Sequence, residues 1–126
     1  MTMYDKGARA ENELLNTLYS RGWNVLRSAG SGVSGLGPDV LAVKGQRAIA
    51  FECKSGYKGG LSIMEEQYQK MAEWQARSSF PIYVAWRINR EGWFFILPSE
   101  MRKTDNHRVL TQKEARAINR SLDAVL

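Results

Sequence analysis

The chain has 126 residues, a length that fits one domain with its own hydrophobic core. Eighteen Lys and Arg against thirteen Asp and Glu give a net charge of +5, which favours a polyanionic partner. A single cysteine excludes an intrachain disulfide framework and is typical of a reducing compartment, and no apolar run is long enough to span a membrane. We therefore expect one domain over residues 1–126, located in the cytoplasm near the chromosome.

The first predicted element is a helix over about residues 5–21, with an apolar stripe that contains Leu14, Leu15 and Leu18. Glu11 precedes Leu14 and Leu15 by three and four residues, so its carboxylate lies at the edge of the buried stripe. A carboxylate that points toward the interior needs a partner. A solvated helix flank is the alternative, and the motif further along the chain favours a role for Glu11 in a site.

A short strand, Trp23–Arg27, follows and leads into a stretch rich in Gly and Ser, residues 28–37. This stretch has little side-chain bulk and ends directly before Pro38-Asp39. Its backbone amides and hydroxyls are suited to contact a phosphodiester backbone, although a plain connector has the same composition. Arg27 faces this stretch, either as a phosphate clamp or as an ordinary exposed arginine.

Two apolar runs, Val40–Val43 and Arg47–Ser55, predict an antiparallel hairpin with its turn at Lys44-Gly45. Asp39 directly precedes the first strand, and twelve residues separate it from Glu52 in the second. A hairpin of that length brings the two carboxylates together.

Glu52 and Lys54 leave the second strand on one face because side chains alternate along a strand, while Cys53 leaves on the other, apolar face. Charges on a central strand are costly to bury unless they pair or bind a metal. Two acids and a lysine on adjacent strands are typical of metal-dependent nucleases. Carboxylates suit Mg²⁺ or Mn²⁺, the cation activates a bound water, and the lysine orients that water or stabilises developing charge. The alternative, a surface ion pair of Glu52 with Lys54, is disfavoured by the apolar strands.

The rest of the chain predicts a second helix, two strands and a final helix. The second helix, about residues 63–77, begins at a capping-box pattern, Ser62–Glu65. Residues 82–86 and 93–97 then form a strand hairpin.

Residues 99–110 are polar and basic, and are either a loop against DNA or, as we favour, a solvated segment. A final helix covers about residues 112–124 and begins at a second capping-box pattern. These elements predict an α/β fold, with a central mixed five-stranded sheet flanked by helices. We expect its core over about residues 4–97 and a C-terminal segment over residues 98–126.

Four short motifs together resemble the archaeal Holliday junction resolvases, a family of PD-(D/E)xK nucleases with cellular and archaeal-viral members. The motifs are Lys6–Glu11, Arg27–Ser31, Pro38–Val40 and Glu52–Lys54. The resemblance covers about residues 4–97. It implies a restriction-endonuclease-like fold and a homodimeric enzyme of DNA recombination and repair that cuts four-way DNA junctions with Mg²⁺, for which Mn²⁺ substitutes.

The resemblance also implies roles for individual residues. The catalytic residues would be Glu11, Ser31, Asp39, Glu52 and Lys54. The metal would be held by Asp39, Glu52, the backbone carbonyl of Cys53 and, directly or through water, Glu11. The DNA backbone would be contacted by Arg27 and Ser31. To these we add Arg9, on the helix of Glu11, and Lys58, in the basic stretch after Lys54. The chain departs from several family members at Asn12, where they carry arginine, so a phosphate contact is either absent or supplied by Arg9.

Two other functions remain open: a nuclease of the same fold for flaps, ends or mismatches, and a junction-binding protein without catalysis. The intact acid and lysine motif argues against the second. Resolution needs two opposed cuts, and one short chain offers one acidic cluster, so we expect a homodimer. Trp86, Trp93 and Phe95 are candidates for its interface, with core burial as the alternative explanation. Helper proteins, cleavage-site preference and host are not specified by these residues.

Overall fold

The computed structural model describes residues 3–28, 37–56 and 59–126. The helices are α1 (Met3–Ser20), α2 (Glu65–Arg77), α3 (Gln112–Ile118) and α4 (Leu122–Val125). The strands are β1 (Asn24–Arg27), β2 (Val40–Lys44), β3 (Arg47–Ser55), β4 (Leu61–Met64), β5 (Ile82–Ile88), β6 (Gly92–Ile96), β7 (Arg102–Thr104) and β8 (His107–Leu110). None of the helices in these ranges is long and apolar enough to cross a membrane.

The central sheet has five strands in the order β1-β2-β3-β5-β6. β3 lies in the middle, antiparallel to β2 and parallel to β5, so the sheet is mixed as predicted. The pairing of β2 with β3 ends where Val40 faces Phe51, whereas β3 continues beside β5 as far as Ser55. The charged end of β3 therefore extends beyond the start of β2, and β2 does not pair with it.

Alternation along β3 divides the core into two layers. Phe51 packs in one cluster with Leu14 and Leu18 of α1, and all three side chains are almost fully buried. Ala50 packs in the other cluster with Met71 of α2. Because the two clusters lie on opposite faces of the sheet, α1 and α2 cover it from opposite sides. The predicted α/β fold with helices flanking a five-stranded sheet is confirmed.

The predicted start of the second helix is wrong. The structure places Leu61–Met64 in strand β4, and α2 begins only at Glu65, without a side-chain cap from Met64. Leu61 and Ile63 are buried while Ser62 and Met64 are exposed, which is the two-residue period of a strand. The capping-box pattern misled the prediction because β4 pairs with β8, a partner far along the chain.

The segment over residues 99–110 is solvated over residues 102–106, as predicted, but it is not an irregular loop. It contains the β7–β8 hairpin, which joins β4 in a separate three-stranded sheet. Arg108 of β8 pairs with Glu65 at the start of α2, with 2.7 Å between Nε and Oε2, and its guanidinium lies over the ring of Tyr68. This half-buried ion pair holds the pKa of Glu65 at about 2 through the hydrogen bonds from Arg108, and it fastens the hairpin to the helix.

The predicted final helix over residues 112–124 is broken in two. The capping box at Thr111 and Glu114 is present as expected. Asn119 then adopts a left-handed conformation with φ of 48°, which ends α3 before α4 begins. Ala115 packs in the α2 layer and Val125 in the α1 layer, so the C-terminal segment contributes to both layers of the core.

The turn of the central hairpin lies one residue later than predicted. Lys44 pairs with Arg47, so the two connecting residues are Gly45 and Gln46. Gly45 has φ of 60°, a conformation that glycine adopts without strain.

Two of the three residues suggested for a dimer interface belong to the core instead. Trp86 and Phe95 are both 0% exposed. Trp93 is half-buried, stacks on Phe95 and donates its indole N–H to Glu13 at 3.1 Å. Burial inside the subunit therefore explains Trp86 and Phe95, and neither can supply a dimer interface.

Candidate active site

Glu52 and Lys54 project from the end of β3 toward α2, on the face opposite to Phe51. Glu52 is only 9% exposed and is the one buried charged residue in the described part of the chain. Cys53, between them, is half-buried and packs with the apolar cluster under α1. The alternation predicted for this strand is confirmed, and the side chain of Cys53 lies on the apolar face.

Asp39 meets this pair at the start of β2. Its Oδ2 accepts a hydrogen bond from the backbone N–H of Cys53 at 2.8 Å. Its own backbone carbonyl accepts from Ser28 N–H at 2.9 Å, which extends the β1–β2 ladder by one bond. Asp39 is therefore fixed by both neighbouring strands, and the predicted approach of its carboxylate to Glu52 is confirmed.

Negative charge is crowded at this edge of the sheet. Burial raises the pKa of Glu52 well above its usual range, and the adjacent carboxylate of Asp39 raises it further. Glu11 shows the same effect, with its pKa raised by burial and then by Asp39. Burial and these acids also raise the pKa of the Cys53 thiol, which argues against a thiolate in this site. The site thus holds more carboxylate than its own cations neutralise.

Glu11 reaches the site from α1, where it lies at the edge of the buried stripe. Arg27 at the end of β1 pairs with it, with 3.1 Å between Nε and Oε1. The same guanidinium donates to Oδ1 of Asn12 at 3.2 Å. Arg27, which the sequence suggested as a phosphate clamp, is thus held between two neighbouring residues of α1. Asn12, the departure from the family pattern, anchors this arginine instead of supplying a cation.

Gln67 joins the site from the first turn of α2, and sequence reasoning missed it. Its Nε2 donates to Oε1 of Glu52 at 3.1 Å, and its Oε1 accepts from Nζ of Lys54 at 3.3 Å. Gln67 could have been predicted only from the expectation that α2 covers this face of the sheet. The predicted start of α2 was wrong, so the sequence did not place Gln67 in the first turn of the helix.

Arg9 is exposed and lines a cleft of about 370 Å³ between α1 and the ends of β3 and β5. The lining residues are Arg9, Ala10, Glu13, Ser55, Gly56, Arg87 and Asn89. Arg87 is partly neutralised by Glu13, with 3.3 Å between Nε and Oε2. Arg9 has no ion-pair partner among the described residues, so the cleft carries a net positive charge.

Two predicted site residues, Ser31 and Lys58, lie outside the described residues. Over the described ranges, no three side chains of His, Cys, Asp and Glu are grouped to hold a metal ion. A cation at this edge would therefore depend on two carboxylates, those of Asp39 and Glu52, supplemented by backbone oxygen and water. Mg²⁺ commonly binds in this way, through one or two carboxylates and several waters.

A sheet that places Asp39, Glu52 and Lys54 at one edge, with Glu11 beside them, defines the class of the PD-(D/E)xK nucleases. Comparison with known proteins narrows this class. The family model described as archaeal Holliday junction resolvase (Hjc) matches residues 2–125. The chain belongs to this family.

Named relatives agree with this assignment. The chain is 30% identical over 110 residues to the crossover junction endodeoxyribonuclease Hjc of Methanocaldococcus jannaschii. The aligned region covers 87% of this chain and 79% of the relative. It is 29% identical over 106 residues to the Hjc enzyme of Archaeoglobus fulgidus, covering 83% and 78% of the two chains. The solved structure of the Archaeoglobus fulgidus protein superimposes with a TM-score of 0.77 at 23% identity, covering 89% of this chain and 88% of that one, and supports the fold.

Proposed function

We propose that this chain is a Mg²⁺-dependent endonuclease that resolves four-way DNA junctions by hydrolysing phosphodiester bonds in two opposed strands. This proposal is supported by the convergence of Asp39, Glu52 and Lys54 at one edge of the sheet, in a chain that belongs to a resolvase family. A junction substrate would place the protein with the chromosomal DNA in the cytoplasm.

The donor set fits a hard divalent cation. Burial and the neighbouring Asp39 disfavour the charged form of Glu52, and a cation between the two carboxylates would relieve that cost. The N–H and C=O of one strand residue point to the same side, so the Cys53 carbonyl faces Asp39 as its N–H does. Asp39, Glu52 and this carbonyl would hold Mg²⁺, or Mn²⁺ in its place, which when bound activates a water and neutralises phosphate charge.

The side chains around this edge have separate tasks. Lys54 is half-buried beside Glu52, where its ammonium would orient the attacking water and stabilise the charge that develops on the phosphate. Glu11, held by Arg27, would accept hydrogen bonds from water that hydrates the cation. Because no third side-chain ligand joins Asp39 and Glu52 in the described part of the chain, we assign Glu11 to water instead of direct ligation.

The basic cleft beside the site suits a backbone phosphate of the bound strand. Arg9 is exposed at its rim, and Ser55 and Arg87 line it on the strand side. Such contacts position DNA without reading its sequence. Several family members carry an arginine directly after the helix glutamate, where it could contact a phosphate. In this chain Asn12 occupies that position and is engaged with Arg27, so we assign the phosphate contact to Arg9.

We expect junction binding to be structure-selective and strongly dependent on salt. Each phosphate neutralised contributes roughly −0.9 to the slope of log affinity against log salt concentration on duplex arms. Arg9→Ala should therefore weaken binding and reduce the slope by about one phosphate's contribution. Lys113→Ala, at an exposed position of α3, removes the same charge outside the cleft and is the control. Electrophoretic competition at several salt concentrations measures both quantities.

The same competition tests substrate choice. Purified protein with Mg²⁺ is offered a four-way junction, a linear duplex, a flap and single-stranded DNA, and the cleaved products are compared on one gel. We expect preferential binding and cutting of the junction. Equal affinity for duplex and junction would contradict structure selectivity, and preferred cutting of flaps or ends would replace the resolvase by another nuclease of this class.

We expect a homodimer that cuts twice within one binding event. Each chain supplies one acidic site, and a two-fold dimer would match the approximate two-fold symmetry of a junction. Sedimentation measures the assembly, and a supercoiled plasmid with an extruded cruciform measures the cutting. Linear plasmid should appear early. A monomer in sedimentation, together with nicked circles that accumulate before any linear product, would contradict paired cutting.

A further inference from the structure

The side-chain amide of Gln67 lies between the two charged groups of β3. One end of the amide contacts Glu52 at 3.1 Å and the other contacts Lys54 at 3.3 Å. Both contacts are partly buried, and Gln67 itself is half-buried in the first turn of α2. Helix α2 is thus connected to the acidic site through this one amide in the described part of the chain.

The two contacts require one orientation of the amide. Its oxygen only accepts hydrogen bonds and its nitrogen only donates them, while an ammonium only donates and a carboxylate oxygen accepts. Turning the amide over would point its NH₂ group at Lys54 and its oxygen at Glu52, and both contacts would be lost. A glutamine therefore satisfies both charged neighbours with a single rotamer, which neither Glu nor Lys at this position would do.

The amide also lies between two opposite charges that form no direct ion pair with each other. Lys54 and Glu52 lie two residues apart on one face of β3, where a direct ion pair is within reach. Lys54 is instead engaged by Gln67, and it is not ion-paired with any carboxylate in the described ranges. A direct pair would occupy the carboxylate oxygens and ammonium protons that the reaction needs. The contacts with the amide use Oε1 of Glu52 and one N–H of Lys54.

We infer that Gln67 is a positioning residue, which holds Lys54 and Glu52 apart and fixes both in the geometry for phosphodiester hydrolysis. This inference rests on the proposed nuclease function. Gln67 need not contact DNA, because it acts through its two neighbours.

The test compares Gln67→Met with Gln69→Met. Gln69 makes the same kind of contact on the same helix, with its Nε2 donating to Glu65 at 2.8 Å, but it lies away from the site. We expect Gln67→Met to slow single-turnover junction cleavage roughly tenfold to hundredfold, as misplacement of reacting groups does. Junction affinity measured without divalent cations should be unchanged, and Gln69→Met should behave as the unmodified protein in both assays.

A double-mutant cycle separates positioning from a general structural role. If Gln67 acts through Lys54, then Gln67→Met should add little to the loss already caused by Lys54→Met. In the metal-free protein, Lys54→Met should shift the side-chain amide NMR signals of Gln67 and leave those of Gln69 in place. The amide signals measure the contact independently of activity.

The outcomes distinguish this inference from the function on which it rests. A protein that cuts no junction before any substitution would overturn the proposed function. Normal cleavage by Gln67→Met, a loss confined to junction affinity, or fully additive losses in the cycle would overturn the role of Gln67 alone. Non-additive losses with unchanged affinity, together with the selective NMR shift, would support it.

Discussion

Replacing Glu52 with glutamine is expected to abolish junction cleavage while junction binding stays near that of the unmodified protein. The substitution keeps the size of the side chain but removes one of the two carboxylates proposed to hold the cation. Losing a central group of this kind lowers rates by on the order of a thousandfold or more. Binding depends mainly on basic residues and phosphates, which the change does not touch.

The same substitution should not weaken the fold. Glu52 is buried beside Asp39, and burial disfavours its charged form, so a neutral amide removes a cost. We expect the thermal midpoint of Glu52→Gln to equal or exceed that of the unmodified protein. Glu66→Gln is the control, because it makes the same substitution at an exposed site on α2. Full cleavage activity in Glu52→Gln would refute the assignment of this site.

The candidate site was predictable wherever its geometry is local. Alternation along β3 places Glu52 and Lys54 on one face, and the spacing from Asp39 is set by a short hairpin. The turn lies at Gly45-Gln46, one residue later than the predicted Lys44-Gly45. Asp39 and Glu52 still lie close together, because Val40 and Phe51, the residues next to them, face each other in the hairpin. Period-two alternation and hairpin length are properties of a few neighbouring residues, which a sequence contains.

What sequence reasoning missed depends on pairing between distant residues. The sequence of β4 resembles the start of a helix, and its strand conformation depends on pairing with β8. The segment that contains β8 is itself too polar to suggest a strand. The ion pair of Arg108 with Glu65 shows why polar residues are tolerated there, since each neutralises the other. Gln67 enters the site only because α2 starts where β4 ends. No spacing of residues in the sequence indicates that Gln67 lies between the side chains of Glu52 and Lys54.

Trp86 marks the sharpest difference between a residue's sequence context and its place in the structure. A tryptophan near the end of an apolar strand suits either an exposed interface or the core. The structure makes it one of the largest fully buried side chains, and its indole N–H donates to the carbonyl of Gly56 at 3.1 Å. It therefore anchors the backbone directly after the site strand as well as filling the layer under α2.

Trp86→Ala is accordingly expected to lower the free energy of unfolding by about 3–5 kcal/mol, the usual cost of truncating a large aromatic side chain in a core. That loss is a large part of the stability of an ordinary domain. Trp86→Phe keeps most of the apolar contact but removes the bond to Gly56, so it should cost less, about 1–3 kcal/mol. Urea unfolding at low and high protein concentration measures both variants.

The concentration series separates core burial from a dimer interface. Substitution of a core residue lowers the free energy of unfolding by the same amount at every protein concentration, because the contacts of that residue lie within one subunit. An interface residue instead weakens association, so its variant would sediment as a monomer whose own unfolding resembles that of the unmodified subunit. A Trp86→Ala protein that keeps subunit stability but associates less than the unmodified protein would contradict the buried position of this indole. Uniformly lowered stability with an unchanged state of association would support it.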